Sequence, residues 1–372
     1  MPAAVTARIS PARSTAVAAR VGILLGIAVA ICLVTGLISH WIQHPPAWFW
    51  WPAHPVWLYR VSQGAHVISG VVAIPLLIVK LWSVFPRLFA RPILGNPLHL
   101  LERGSIAVLV GSMIFQLVTG LLNSAQYYPW RFFFTTTHYA LAYVAIGALA
   151  VHLAVKLPVV HTALARPAVE PSADSGTASR RVVLGAAVAA AAVAGVAVAG
   201  QTVPLLRRIS VLAPRSGEGP QGLPVNRTAV EAGVAERARD AAYRLTVTVG
   251  ERTAEFTRDA LAALPQTTAT LPLACVEGWS VSADWSGIRV RDLLGAVGDY
   301  TGGDAVFRSL EQGGLYSRSA LPESHVVAAD SLIALRLNGE DLDLDHGYPC
   351  RLIAPTRPGV LQTKWLSSIE VR

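Results

Sequence analysis

Three histidines in the apolar amino-terminal half are the first residues whose type and spacing could support chemistry. His66, His138 and His152 lie in long apolar runs, where ligating side chains are costly and usually functional. Fourteen residues separate His138 from His152, a rotation about 40° short of four helical turns and a rise of about 21 Å. The two rings therefore share one helix face, at depths that suit one haem in each leaflet. His66 and His138 have similar depths and could together ligate one iron axially. The alternative is that these are interfacial or hydrogen-bonding histidines.

Cysteine is scarce, and its placement leaves several interpretations open. Cys32 lies in the first apolar run, and the other two of the 3 cysteines are Cys275 and Cys350. Three cysteines do not form a disulfide framework. From the residues alone, Cys275 could be a small buried apolar side chain, or it could pair with Cys350 outside the cell.

The distribution of charge divides the chain into a membrane part and a soluble part. Only 15% of the residues are charged and 53% are hydrophobic, whereas soluble proteins carry roughly 25% charged residues. A helix needs about 20 apolar residues to span a bilayer, and five runs meet that length: Ala16–Ser39, Val61–Val84, Gly104–Leu122, Thr136–Leu157 and Val182–Leu205. We therefore expect a four-helix transmembrane domain at 1–157, a linker at 158–181, a fifth membrane helix at 182–205 and a soluble domain at 206–372.

Basic residues mark the orientation of these runs. Arginines and lysines precede the first run and crowd the second and fourth connections, and such residues concentrate on the cytoplasmic side. The amino terminus is thus expected in the cytoplasm, and five spans place the carboxy-terminal domain outside a bacterial cell membrane. The same placement accounts for the net charge of +8, so we do not expect a nucleic-acid partner.

The linker before the fifth run ends in Ser179-Arg180-Arg181-Val182-Val183-Leu184. This sequence resembles a twin-arginine export motif inside the chain. A domain that receives a large cofactor in the cytoplasm must fold around it before export, and the twin-arginine route carries folded domains. The expected export partners are the twin-arginine and Sec machineries. The alternative is that Arg180 and Arg181 only mark the cytoplasmic end of a helix.

The soluble part has the pattern of a mixed α+β domain. Short alternating or apolar stretches such as Arg244–Val249, Leu271–Ala274 and Ser331–Leu337 predict strands, and Arg258–Leu264 predicts a helix that Pro265 ends. Asn338-Gly339 predicts a turn. Short strands, a few helices and frequent Gly and Pro indicate an α+β fold.

The membrane half resembles the b-type cytochrome subunits of membrane formate dehydrogenases and nickel hydrogenases. The resemblance rests on the four-helix pattern, on Gln-Gly-Ala-His-Val-Ile-Ser-Gly at 63–70 and on the two histidines of the fourth helix. It implies one outer b-type haem on His66 and His138, with quinone or quinol as the electron partner. In that family the first helix completes the inner haem site, and here that helix has no histidine in its cytoplasmic half. A second haem on His152 would need another ligand, such as His99.

The soluble half resembles the molybdopterin-binding domain of the sulfite oxidase family, which includes the periplasmic methionine sulfoxide reductases. The resemblance covers about 220–372 and rests on Cys-Val-Glu-Gly-Trp at 275–279, His-Gly-Tyr-Pro at 346–349 and Pro-Gly-Val-Leu-Gln-Thr-Lys-Trp at 358–365. It implies that Cys275 is the molybdenum ligand and the catalytic residue, because a soft thiolate suits that metal. The implied cofactor-binding residues are Asn226, Arg227, Cys275, His346, Arg351 and Lys364.

Together the two halves predict a membrane-bound oxidoreductase. Electrons would pass between the quinone pool, b-type haem and a molybdenum centre that acts on an extracytoplasmic substrate. The sequence ends at Arg372, so we expect no added immunoglobulin-like dimerisation domain, and this favours S-oxide reduction over oxidation of a sulfite-like compound. Two alternatives are a haem-containing anchor with a cofactor-free binding module, and a transporter, for which Pro75 is a candidate helix break.

Overall fold

The computed structural model describes residues 13–88, 97–165, 180–213, 219–314 and 316–371. The chain divides into two compact units. One unit comprises residues 1–37 and 65–212, and the other comprises residues 38–64 and 213–372. The stretch 38–64, which includes the first predicted external connection, therefore clusters with the carboxy-terminal residues rather than with the helices that flank it.

Five long helices account for the apolar half. Each is long and apolar enough to cross a membrane, which indicates a membrane protein. In chain order they are α1 Thr15–Gln43, α2 Leu58–Leu88, α3 Pro97–Ser124, α4 Phe134–Ala165 and α5 Arg180–Ala199.

The helix ends differ from the predicted ends in both directions. Helix α4 continues through Pro158 to Ala165, so the first part of the predicted linker is helical. Hydropathy reports the apolar span, whereas backbone hydrogen bonds continue into the polar flank. Helix α5 ends at Ala199, before the predicted Leu205, and a 3₁₀ turn begins at Pro204. Arg180 and Arg181 begin α5, while Ser179 lies outside the described residues.

Small and aliphatic side chains pack the first unit. Val21, Leu76 and Ala187 join α1, α2 and α5 in one cluster. Leu77, Met113 and Ala145 join α2, α3 and α4 in another. Many large apolar side chains along these helices are exposed, as expected where lipid is the solvent.

The second unit is an α+β fold, as predicted. Its strands are β1 Leu245–Val249, β2 Arg252–Phe256, β3 Thr267–Ala274, β4 Ser280–Arg289, β5 Ala305–Ser309, β6 Arg318–Leu321, β7 Leu332–Leu337, β8 Glu340–Asp341, β9 Arg351–Ile353 and β10 Leu366–Val371. Its short helices are α6 Ala235–Arg239, α7 Arg258–Ala263, α8 Val290–Gly295 and α9 Glu323–Val326.

These strands form two sheets around a shared core. The first sheet has the order β2-β1-β10-β5-β6, and the second has the order β3-β4-β7-β8 with β9 also paired to β7. Strand β10 pairs in parallel with β1 and is the middle strand of the first sheet. This sheet therefore needs strands from both ends of the domain. The predicted turn at Asn338-Gly339 is confirmed, since both residues have positive φ.

Candidate functional site

A tight turn between β3 and β4 presents Cys275. The two strands pair along their full length up to Ala274 and Ser280. Within the turn, the Gly278 amide donates to the Cys275 carbonyl at 3.1 Å, and the Cys275 amide donates to the Trp279 carbonyl at 2.9 Å. Gly278 has φ of 100°, a conformation that glycine adopts without a steric penalty. Cys275 is therefore fixed at the tip of a rigid hairpin.

The thiol of Cys275 is buried and touches an amide. Its exposed fraction is 4%, and Asn226 Nδ2 lies 3.1 Å from its Sγ. Burial raises the pKa of the Cys275 thiol, and the charge of Glu277 raises it further. The group is thus a neutral thiol in the absence of a metal, whereas a coordinating metal ion would deprotonate it.

A buried arginine and a half-buried lysine form the core of a basic cluster. Arg351 is 3% exposed, and its guanidinium donates to the carbonyls of His346 at 3.0 Å and Gln362 at 3.2 Å. Lys364 Nζ donates to the carbonyls of Arg227 at 2.5 Å and Asp345 at 2.8 Å. Burial lowers the pKa of Arg351 to about 9 and that of Lys364 to about 7. Backbone carbonyls hold these cations in place without neutralising them.

His346 and Arg227, two more of the predicted cofactor-binding residues, contribute less positive charge to the site. His346 is 2% exposed, and its Nε2 lies 2.7 Å from the Pro220 carbonyl, to which it donates. Burial lowers the pKa of His346 to about 4, so the ring is neutral at pH 7. Arg227 Nη2 forms an ion pair with Glu311 at 2.8 Å.

A glycine allows the backbone to pack closely beside Arg351 and Lys364. Gly347 has φ of 107°, and a Cβ placed there would lie 3.0 Å from the Arg351 Cβ and 3.1 Å from the Lys364 Cβ. The donor set fits an anionic, sulfur-ligated cofactor, because it combines one buried thiol with Arg351, which stays charged at pH 7, and with Lys364, whose ammonium form an anion would stabilise. Arginine in particular presents a planar fork to phosphate.

Asn226 and Arg227 join the thiol to the basic cluster. Asn226 reaches Cys275, while the carbonyl of the next residue, Arg227, accepts from Lys364. The structure therefore brings together the predicted residues of the soluble domain from three separate stretches of sequence.

Two further residues of this domain, Tyr316 and Arg357, are not among the predicted site residues. Burial raises the pKa of Tyr316, and the neighbouring groups Cys275 and Glu277 raise it further. Arg357 is 5% exposed and donates to the Ala320 carbonyl at 3.2 Å. Neither residue belongs to a motif that could have revealed it.

A pair of histidines is the candidate metal site of the first unit. The rings of His66 and His138 have centroids 6.4 Å apart. His66 Nδ1 lies 2.8 Å from the Cys32 carbonyl, and His138 Nδ1 lies 3.4 Å from Thr119 Oγ1. A hydrogen bond at one ring nitrogen fixes the tautomer and directs the other nitrogen towards a metal.

His152 has a different environment on the same helix as His138. Its Nδ1 is buried and has no hydrogen-bond partner within the described part of the chain. The side chain of His99, its suggested partner, lies outside the described residues. The predicted inner haem therefore stays a prediction.

Comparison with known proteins identifies the soluble half. The model of the oxidoreductase molybdopterin binding domain matches residues 232–372. This region is a molybdopterin-binding oxidoreductase domain.

The curated relatives share only part of their length with this chain. Sulfite oxidase of Arabidopsis thaliana is 36% identical over 112 residues, which cover 25% of this chain and 28% of that protein. NADH nitrate reductase of Ulva prolifera is 29% identical over 178 residues, covering 37% and 20%. A putative protein-methionine-sulfoxide reductase subunit, YedZ1, of Azospira oryzae is 30% identical over 133 residues, covering 35% and 49%. The chain thus spans less than half of each of these relatives.

Proposed function

We propose that this protein is a membrane-bound, molybdopterin-dependent oxidoreductase. In this proposal, electrons are exchanged between the quinone pool, b-type haem and a molybdenum centre that acts on an extracytoplasmic substrate. The observation that carries the proposal is the position of Cys275. Its buried thiol contacts the Asn226 side chain, and the backbone carbonyl of the next residue, Arg227, accepts a hydrogen bond from Lys364.

The residues of the soluble domain have distinct roles in this proposal. Cys275 ligates molybdenum, and Asn226 supplies a hydrogen bond to its sulfur. Arg351 and Lys364 hold the anionic end of the pterin, with His346 and Arg227 bracing them. When bound, the cofactor supplies two-electron oxygen-atom transfer. The protein contributes a dry, cationic and rigid site, in which electrostatic interactions are stronger than in water.

The histidine pair supports the haem part of the proposal. Two imidazoles on one metal, each with a nitrogen about 2 Å away, have ring centroids about 6 Å apart. The rings of His66 and His138 meet that spacing at 6.4 Å. A b-type haem there would supply one-electron transfer within the membrane domain.

Reduction of an S-oxide is the favoured reaction. The name of the Azospira relative refers to methionine sulfoxide reduction, whereas other relatives are sulfite oxidases. The proposed topology places the soluble domain outside the cell membrane, with export by the twin-arginine and Sec machineries. Substrates there would be small-molecule or protein S-oxides, with sulfite-like compounds second.

The test is to purify the full chain in detergent and analyse it for molybdenum, pterin and haem. Quinol-reduced protein is then mixed with S-oxides, and haem reoxidation is followed by absorbance. Reoxidation by an S-oxide but not by its sulfide product is the expected result. Absence of molybdenum and pterin from the purified protein would contradict the enzyme proposal, and absence of b-type haem bands would contradict the electron-transfer part.

A further inference from the structure

The segment Ile38–Gly64 packs inside the same compact unit as the molybdopterin-binding domain. Ile42 and Tyr59 are each 1% exposed and form one apolar cluster with Ala274, the residue before Cys275. The segment is thus part of the hydrophobic core that supports the end of β3.

Hydrogen bonds fix the segment to one side of the site. Trp51 Nε1 donates to the Thr356 carbonyl at 3.2 Å, and Thr356 Oγ1 donates to the Pro52 carbonyl at 2.6 Å. Thr356 has φ of 54°, which is unusual for a branched residue. Pro358, two residues later, bridges in parallel to Ala274. The segment therefore holds the loop that lies alongside the base of the Cys275 turn.

A third hydrogen bond joins Gln63 to the turn that contains Cys275. Gln63 Nε2 donates to the Val276 carbonyl at 2.7 Å, and Gln63 is 5% exposed. Val276 is the residue after Cys275, and its carbonyl belongs to the central peptide of the turn that Gly278 closes. Gln63 therefore holds the backbone of the turn directly after Cys275.

We infer that segment 38–64 is an integral part of the molybdopterin-binding domain and that Gln63 is a positioning residue for Cys275. The domain is therefore larger than the stretch 232–372 that the family model matches. The role of Cys275 as a metal ligand rests on the proposed function, whereas the contact between Gln63 and the turn does not.

The test compares Gln63→Leu with Arg60→Gln in the full-length chain. Arg60 lies on the same helix and bonds Ser282 at 3.4 Å, away from the turn, so its variant is the matched control. In protein from a host that cannot make molybdopterin, alkylation of Cys275 by iodoacetamide should accelerate about fivefold or more in Gln63→Leu, the factor that corresponds to losing one hydrogen bond. Cys350, which is fully buried, is the internal reference for unfolding.

The loaded protein gives an independent readout. At equal molybdenum content, Gln63→Leu should shift the g-values of the Mo(V) electron paramagnetic resonance signal, and Arg60→Gln should not. Unchanged alkylation and an unchanged signal would overturn the positioning role. If Cys350 also becomes reactive in Gln63→Leu, that variant has partly unfolded, and Gln63→Asn, which keeps an amide but shortens it, is measured instead. Wild-type alkylation and a wild-type signal in Gln63→Asn would contradict the inference. Wild-type protein without molybdenum would contradict only the proposed function, because the alkylation arm still tests Gln63.

Discussion

Asn226 Nδ2 lies 3.1 Å from Cys275 Sγ and 2.8 Å from Glu277 Oε2. One amide thus bridges the thiol and the nearest carboxylate of the turn. Its own carbonyl oxygen accepts from Trp279 Nε1 at 3.3 Å, so both ends of the amide are fixed. Asn226 can therefore stabilise a thiolate at position 275 when a metal binds, because it donates to the sulfur from a fixed direction.

Serine substitution should show that Cys275 and Cys350 have different roles, one in binding molybdenum and one in the core. Cys275→Ser should lower turnover by more than about 100-fold, since even residues behind a metal ligand cost about 10–100-fold when changed. The matched control is Cys350→Ser. Cys350 is buried in the core with Tyr243 Oη 3.2 Å from its sulfur, so this variant should lose about 1–3 kcal/mol of stability and retain molybdenum. Metal analysis and turnover measure the difference, and equal molybdenum loss in both variants would contradict the ligand assignment.

The half-buried lysine should make the cofactor-free protein more stable as the pH rises. Burial lowers the pKa of Lys364 from 10.5 to about 7. Between these values the unfolded chain holds a proton that the folded chain lacks, so the free energy of unfolding increases with pH by at most about 1.4 kcal/mol per unit. Denaturation of cofactor-free protein from pH 7 to 10 measures this slope, and Lys364→Met should reduce it. An identical slope in that variant would contradict the pKa of Lys364.

Local pattern was enough to predict the elements. The apolar runs located all five helices, whereas the assignment of Cys275 as a molybdenum ligand rests on the family resemblance and stays a prediction. The helix ends were wrong by several residues at α4 and α5, because composition does not report where backbone hydrogen bonding stops.

Contacts between distant residues could not be predicted from pattern. Gln63 stands in the motif used to predict the haem site, yet its side chain bonds Val276, 213 residues away. His346 was predicted as a cofactor-binding residue from the resemblance, whereas its burial, which keeps the ring neutral at pH 7, comes from the folded domain. Long-range packing decides both properties, and periodicity carries only local information.

A methyl group next to the histidine pair should disturb the haem site. A Cβ at Gly36 would lie 2.9 Å from His66 Cε1, whereas a Cβ at Gly26 on the same helix would meet nothing within 4 Å. Gly36→Ala should therefore reduce haem content, and Gly26→Ala should leave it unchanged. The ratio of haem absorbance to protein measures both.

The histidines themselves give a stricter test of the same site. His66→Ala and His138→Ala should each abolish the outer haem, because each removes one axial ligand. His152→Ala should retain it. Haem spectra of the three variants decide, and a normal spectrum in both of the first two would refute the ligand pair.

A single methyl group added at Gly347 should disturb the basic cluster. Gly347 and Gly339 both have positive φ, of 107° and 85°, so an alanine at either position costs about 1–3 kcal/mol of backbone strain. Only at Gly347 would the added Cβ also meet Arg351 and Lys364, within 3.1 Å, while at Gly339 it meets nothing within 4 Å. The two variants should therefore lose similar stability, but Gly347→Ala alone should lose molybdopterin. Thermal denaturation and pterin content measure the two effects separately, and equal pterin retention would show that the close packing at Gly347 does not serve the cofactor.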